Sequence, residues 1–183
     1  DMALKATIFK ALVNVADTDR NVYLEETLTL ARHPSETDER LMMRLLAWGL
    51  NAAPDLEFTK GLCADDEPDL WRKELHGDIA HWIEVGLPDE RRLKRACNRS
   101  AAVTLYAYGA RAAQIWWQQN QPLLAKQQNL SVYFVDDDFA QELSSRAERN
   151  MSWQMTVSDG VLWLSSGDFS ISWQPTCWQK AQA

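Results

Sequence analysis

Two acidic residues, Asp69 and Glu84, flank a short predicted hairpin and could act together chemically. Glu84 interrupts an apolar run over residues 79–85 that is typical of a strand and is bounded by Gly77 and Gly86. A carboxylate in such a strand is costly to bury without a partner. Glu84 could therefore face water at the strand's edge. Alternatively, the hairpin brings it to Asp69 and the two acids share Mg²⁺ or Mn²⁺, which prefer oxygen ligands.

Two further acids open the first predicted helix. Ser35 followed by Asp38 is a capping-box pattern, and Gly49 can end the helix. At about 100° per residue, Asp38 lies over the apolar face and Glu39 lies at its border, so either carboxylate could point towards a sheet. The alternative is that both acids complement the helix dipole. The apolar face itself recurs at helical spacing in Leu41, Met42, Leu45 and Leu46.

An aspartate triplet, residues 136–138, also suggests a metal, but N-capping of a helix that runs to Ala147 explains it fully and is the favoured interpretation. The three histidines are not spaced as a zinc site requires. The sequence has no phosphate-binding glycine loop, nucleophile elbow or EF-hand loop. Carboxylates on separate elements therefore remain the candidate chemistry.

The elements that must position these acids mix strands and helices. A hairpin over residues 3–30 opens the chain, and a hairpin around Asp159-Gly160 belongs to three closing strands over 153–173. Between them, strands at 103–108 and 130–135 alternate with a helix over 110–120 that Pro122 should end. We predict an α/β (α+β) fold in one domain, residues 1–183. Its mixed central sheet is flanked by helices, and the terminal strands add an antiparallel sheet.

Charge and composition limit the partners. The 183 residues have a formal net charge of −7, which argues against broad, non-specific binding to nucleic acid. A local basic helix after Pro88 offers nucleic acid a face over Arg91–Arg99, although a solvated helix face would have the same pattern. The pair Trp116–Trp117 is a candidate anchor for a protein partner. Three widely spaced cysteines and no apolar span predict a cytoplasmic protein with reduced thiols and no membrane segment.

Four long strings resemble the YaeQ family of bacterial proteins, and the resemblance runs from Met2 to the closing strands. They are HPSETDER at 33–40, GLCADDEP at 61–68, WIEVGLPDERR at 82–92 and RAAQIWWQQNQ at 111–121. The resemblance implies a variant of the PD-(D/E)XK nuclease-like fold. That fold has a metal site built from a helix acid, the aspartate of a Pro-Asp pair, and an acid-x-lysine motif at the end of the next strand.

On this resemblance, Glu39, Asp69 and Glu84 would hold Mg²⁺ or Mn²⁺ in a metal-dependent endonuclease, with Asp38 and Asp78 as rival ligands. The motif departs at the lysine, whose position is Gly86. Losing one such preorganised charge costs about 3–4 kcal/mol of transition-state stabilisation. Lys94 or Arg92 from the following helix would have to replace it. The alternative function is a catalytically inactive nuclease-fold protein that acts as a protein or nucleic-acid interaction module.

Overall fold

The computed structural model describes residues 5–60 and 66–182. Cys63 and the first five residues of the string at 61–68 lie outside the described residues. Within these ranges the elements, in chain order, are β1 (Thr7–Asp17), β2 (Val22–Arg32), α1 (Asp38–Leu50), β3 (Glu57–Phe58), β4 (Leu70–Lys73), β5 (Ile79–Val85), α2 (Glu90–Arg99), β6 (Ser100–Ala107), α3 (Ala110–Leu124), β7 (Leu130–Phe134), α4 (Asp137–Ser144), β8 (Asn150–Ser158), β9 (Val161–Ser166), β10 (Phe169–Trp173) and β11 (Thr176–Gln179).

The described residues fall into two compact units. The first lies within Asp1–Pro54 and Gln141–Gln174, and the second within Asp55–Ala140 and Pro175–Ala183. Each unit contains one sheet, so the predicted mixture of strands and helices with two sheets is confirmed. That the whole chain is a single domain stays a prediction.

The sheet of the first unit has the order β10-β9-β8-β1-β2. Alternate residues of β1 are buried, as the sequence predicts, because successive side chains of a strand point to opposite faces. The terminal strands do share a sheet, but the prediction that it is antiparallel is wrong in one pairing. Strand β1 pairs with β8 in parallel, from Lys10 opposite Asn150 to Asp17 opposite Val157. The other three pairings are antiparallel.

Helix α1 confirms the predicted helix but begins and ends at different residues. Thr37, not Ser35, is the N-cap, because its hydroxyl accepts the backbone N–H of Arg40 at 3.1 Å. The helix runs through Gly49 to a C-cap at Asn51. A Cβ on Gly49 would lie 2.1 Å from the sulfur of Met155, so close packing accounts for this glycine rather than helix termination.

The sheet of the second unit has the order β11-β7-β6-β5-β4-β3. Strands β5, β6 and β7 are parallel, and β4 joins β5 as the predicted antiparallel hairpin. Helix α2 packs its apolar face on this unit through Leu93, Ala96 and Cys97. The end of β5 and the start of α2 are therefore held against the same hydrophobic core.

Three predicted boundaries in the closing half differ from the structure. Helix α3 continues past Pro122 to Leu124, whose side chain is fully buried, so packing outweighs the lost backbone hydrogen bond. Helix α4 ends at Ser144 rather than Ala147. The segment after Pro175 is not loose, because it forms β11 and pairs with β7. Among the described residues, no helix is long and apolar enough to cross a membrane.

Candidate functional site

Asp69 and Glu84 meet at one end of the β4–β5 hairpin. The backbone N–H of Asp69 donates to the carbonyl of Ile83 at 3.1 Å, next to Glu84. Asp69 Oδ2 accepts the backbone N–H of Val85 at 2.9 Å, on the other side of Glu84. Both acids are buried, with 5% of Asp69 and 4% of Glu84 exposed. The hairpin therefore brings the two predicted acids together, and the expectation that Glu84 faces water is wrong.

The Glu84 carboxylate is occupied by partners from its own unit. Its Oε1 accepts the indole N–H of Trp82 at 2.7 Å and the Nε–H of Arg92 at 2.8 Å. Its Oε2 lies 3.1 Å from the same Arg92 Nε. Trp82 and Glu84 are two residues apart on β5, so both side chains point to the same face of the strand. Glu84 is thus the acceptor of a buried, charge-assisted pair.

Opposing effects act on the proton affinity of Glu84. Burial raises the pKa of this carboxyl above its usual value, because the charged form loses its hydration. The hydrogen bonds and charge of Arg92, together with the Trp82 indole, act against that rise. The neighbouring charge of Asp69 adds to it. Desolvation is the largest of these effects and sets the direction of the shift.

Arg92 also connects α2 to the chain that leads into β4. Its Nη2 donates to the carbonyl of Glu67 at 2.7 Å, and Arg99 Nη1 donates to the carbonyl of Asp66 at 2.9 Å. Both guanidinium groups lie beside the Trp82 ring, at 5.9 and 5.3 Å from its centroid. The α2 N-cap, Asp89, accepts the backbone N–H of Arg92 at 2.7 Å. The position of Arg92 is therefore fixed through its side chain and its backbone.

Hydrogen bonds compete with a divalent cation for the Glu84 carboxylate. Oε1 already accepts two hydrogen bonds, whereas Oε2 lies 3.1 Å from the Arg92 Nε. The Arg92 guanidinium supplies the positive charge that a metal would bring. Within either unit, the described residues contain no group of three His, Cys, Asp or Glu side chains placed to hold a metal ion. A metal shared by Glu39, Asp69 and Glu84 stays a prediction.

The helix acids of α1 belong to the first unit. Glu39 Oε2 accepts the side-chain amide of Gln141 at 3.1 Å, and Asp38 forms an ion pair with Arg32. Both side chains therefore have protein partners, and both lie in the first turn of α1, where acids complement the helix dipole.

Asp78 lies at the far end of β5 from Glu84. Asp78 precedes Glu84 by six positions along the extended chain, which corresponds to roughly 20 Å at about 3.3 Å per residue. Asp78 pairs with His76 at 2.9 Å on the surface. Between the two candidates for the second acid, the geometry therefore favours Asp69.

The position of the motif lysine is a backbone turn. Gly86 follows β5 with a φ of +111°, a conformation that L side chains rarely adopt. A lysine there would strain the chain as well as add a charge. Of the two predicted substitutes, Arg92 contacts Glu84. Lys94 is exposed and lies about 160° around α2 from Arg92, given about 100° per residue.

The Asp136 triplet is explained by capping. Asp136 Oδ2 accepts the backbone N–H of Phe139 at 3.1 Å, which confirms the predicted N-cap of α4.

Trp116 and Trp117 are half-buried on α3 and pack against the core of the second unit. Their rings stack at 6.2 Å, and Trp117 stacks on Trp178 at 5.3 Å. The Trp116 indole N–H donates to the carbonyl of Pro88 at 2.8 Å. Since these contacts use much of both indoles, a protein partner at this pair stays a prediction.

Trp82 and Glu36 are site or charge-cluster residues that the sequence analysis did not predict. Trp82 had a signal, because an indole two residues before a strand glutamate shares its face. Arg99 belongs to the predicted basic face, but its bond to a backbone carbonyl of a distant loop had no signal in the sequence. Glu36, in the first unit, is 7% exposed and its carboxylate binds Arg40 and Arg44. Its burial depends on tertiary packing that no local pattern indicates.

Comparison with known proteins identifies the family. A family model described as "YaeQ protein" matches residues 2–175. The chain is 56% identical over 179 residues to the uncharacterised protein YaeQ of Escherichia coli strain K12, covering 98% of this chain and 99% of that one. It is 55% identical to the Salmonella typhi protein of the same name, with the same coverage.

Solved structures agree. A YaeQ protein from Xanthomonas axonopodis pv. citri matches with a TM-score of 0.93 at 41% identity, covering 97% of this chain and 99% of that one. One from Pseudomonas syringae matches with a TM-score of 0.91 at 34% identity, covering 96% and 97%. The strings that resemble YaeQ, the family match and these two structures all agree: the chain belongs to the YaeQ family.

Proposed function

We propose that this YaeQ protein is a variant of the PD-(D/E)XK nuclease-like fold that binds nucleic acid through α2, and that it does so without metal-dependent cleavage. The fold assignment is supported by the order of the parts in the second unit. A Pro-Asp pair leads into β4, an acid lies near the end of the next strand, and a helix follows.

The observation that carries the binding function is the division of charge on α2. Arg92 turns inwards to Glu84, whereas Arg91, Lys94 and Arg95 are exposed. These three recur at i, i+3 and i+4, so they share one face of the helix. Within the ranges 5–60 and 66–182, none of the three forms a hydrogen bond or ion pair with another side chain. Unpaired cations on one face can release counterions from a phosphate backbone.

The inactive state is supported by the two departures at the end of β5. Arg92 donates a hydrogen bond to the Glu84 carboxylate, and Gly86 replaces the lysine that such nucleases use near the scissile phosphate. The protein therefore binds nucleic acid without cleaving it. The outward face of α2 binds the phosphate backbone, while Arg92 points inwards and blocks the acid pair Asp69–Glu84.

Fluorescence anisotropy with labelled duplex DNA, duplex RNA and single strands tests the binding. We expect wild-type protein to bind at least one of these probes. The variant Arg91→Glu/Lys94→Glu/Arg95→Glu should lose that binding, because like charges then face the phosphates. The matched control is Lys60→Glu/Lys126→Glu/Lys180→Glu, which makes the same change in net charge at exposed lysines of the same unit. It should bind as the wild type does.

Equal losses in the two triple variants would mean that overall charge, not α2, governs binding. No binding of any probe by the wild type would contradict the proposal directly.

The second candidate function is a metal-dependent endonuclease, which the contact between Asp69 and Glu84 favours. Burial, with a smaller contribution from the neighbouring charge of Asp69, raises the pKa of Glu84, and a perturbed carboxyl of this kind is a frequent feature of functional sites. Nicking of supercoiled plasmid with Mg²⁺ or Mn²⁺ would support this function if Glu84→Ala abolishes it. Nicking that survives Glu84→Ala would come from a different site or a contaminant.

We also propose a cytoplasmic location. Cys97 and Cys177 are unpaired thiols, which is typical of a reducing compartment.

A further inference from the structure

The Glu84 carboxylate and the Arg92 guanidinium form the most enclosed ion pair of the second unit for which both partners are described. The glutamate side chain is 5% exposed and the arginine side chain 29% exposed. The Trp82 indole donates to the same oxygen at 2.7 Å. Two directed donors therefore converge on Oε1, where water screens the pair little.

The arginine is held in place rather than drawn there by Glu84 alone. Its Nη2 donates to the Glu67 carbonyl, its backbone N–H donates to the Asp89 cap, and its guanidinium lies over the Trp82 ring. These partners come from a loop, a helix end and a strand. A planar guanidinium with several fixed partners loses little further freedom when it forms each bond.

A second cation at Glu84 would meet this guanidinium at close range in a poorly hydrated site. Like charges repel there, so the arginine lowers the affinity of the carboxylate for a divalent ion. Asp69, the other acid of the pair, already accepts the Val85 N–H.

From this competition we infer that Arg92 is a built-in counter-cation that closes the acid pair to divalent metal, and that removing its charge opens the pair. The inference concerns cation access and holds whether or not α2 binds nucleic acid. The ligand that the acid pair would take is a hard divalent cation, and the Arg92 side chain controls its access. The structure assigns Arg92 the role of a gating residue rather than a catalytic one.

Titration calorimetry with Mn²⁺ alone tests this on the full chain. The variants are the wild type, Arg92→Met, Arg92→Met/Glu84→Gln and Arg91→Met. Methionine keeps an unbranched apolar stem against Trp82 while it removes the charge. Arg91→Met makes the same substitution one residue away on the exposed face of α2. Circular dichroism establishes that each variant is folded.

We expect Arg92→Met to bind Mn²⁺ at least about tenfold more tightly than the wild type. Arg91→Met should match the wild type, and the added Glu84→Gln should remove the gain. The inference is overturned if Arg92→Met binds Mn²⁺ no more tightly than the wild type does, or if the gain in affinity survives Glu84→Gln.

Should Arg92→Met fail to fold, Arg92→Gln is the second variant. A glutamine removes the charge but keeps a side-chain amide that can donate to the Glu84 carboxylate or to the Glu67 carbonyl. It should admit Mn²⁺ more readily than the wild type does, and affinity equal to the wild type's would overturn the inference. Failure of nucleic-acid binding in the anisotropy assay leaves these outcomes unchanged, so the two proposals fail separately.

Discussion

At the scale of single residues, the guanidinium of Arg92 connects three parts of the second unit. It binds the Glu84 carboxylate on β5, the Glu67 carbonyl before β4 and the face of the Trp82 ring. A strand acid that would otherwise be costly to bury is satisfied by this one side chain and its indole neighbour. The same contacts account for the low exposure of Glu84 and for its poor fit to a metal.

Part of this site could be predicted from the sequence. The hairpin that joins Asp69 to Glu84 follows from two short apolar runs and a turn, which are local signals. The hydrogen bond from Arg92 to Glu84 could not be predicted in this way, because a basic residue eight positions after a strand acid can point into solvent equally well. Only the packing of α2 on the core decides its direction.

The two described cysteines should differ sharply in reactivity. Cys97 is buried, and burial raises the pKa of its thiol to about 11, whereas Cys177 is exposed. In a Cys63→Ser background, we expect a disulfide reagent at neutral pH to label Cys177 quickly and Cys97 only after urea is added. Equal rates for the two thiols in the folded protein would contradict the burial of Cys97.

The same thiol gives a pH dependence with a defined sign. The folded pKa lies above the usual value of 9.0. The stability that the neutral thiol contributes is therefore complete below about pH 9 and is lost as the pH rises through about 11. Urea titrations of wild type and Cys97→Ala across this range should diverge less as the pH rises.

At the scale of elements, helix starts show how far local patterns go. The sequence places a helix correctly after residue 35, yet two hydroxyl residues compete for its cap. Thr37 takes it because its side chain accepts the Arg40 N–H, while the Ser35 hydroxyl lies 2.8 Å from His33 Nδ1.

Thr37→Ala should therefore lower the free energy of unfolding by about 1 kcal/mol, since the N-cap hydrogen bond is lost. The matched control is Ser35→Ala, which removes an exposed hydroxyl two residues away and should change stability by less than about 0.5 kcal/mol. Urea denaturation of both variants measures the difference. A larger loss of stability for Ser35→Ala than for Thr37→Ala would contradict the assignment of Thr37 as the N-cap.

Element ends that depend on distant packing could not be predicted. Pro122 predicts the end of a helix, but the buried side chain of Leu124 stabilises the last turn of α3. The segment after Pro175 has a weak strand pattern, yet it finds an open edge on β7 and becomes β11. In both cases a contact far along the chain outweighs the local preference.

At the scale of the whole molecule, long-range strand pairing is the least predictable feature. β1 and β8 lie side by side in parallel although more than a hundred residues separate them, and no local pattern indicates that order. The sequence does indicate the overall charge. A net charge of −7 combined with exposed cations on α2 predicts binding that is local and sensitive to salt.

If Arg91, Lys94 and Arg95 each neutralise one phosphate of duplex DNA, log K should fall with log salt at a slope of about −2.7, from about −0.9 per contact. The triple reversal on α2 should abolish this dependence, whereas Arg91→Ala alone should make the slope shallower by about 0.9. Anisotropy titrations between about 50 and 200 mM salt measure it. A slope unchanged by Arg91→Ala would mean that this residue makes no phosphate contact.

The most direct test of the central claim, that Arg92 is the counter-charge of Glu84, is a double-mutant cycle in urea. Its variants are Glu84→Gln, Arg92→Met and the two combined. Arg92→Met should cost about 3 kcal/mol, since it leaves the buried Glu84 charge without its counter-charge. Glu84→Gln should cost less, because the Arg92 side chain is 29% exposed and keeps its bond to the Glu67 carbonyl. The double should cost less than the sum by at least about 1 kcal/mol. Glu84→Gln with Arg91→Met, the matched control, should be additive within about 0.5 kcal/mol. Additivity between Glu84→Gln and Arg92→Met would contradict the account.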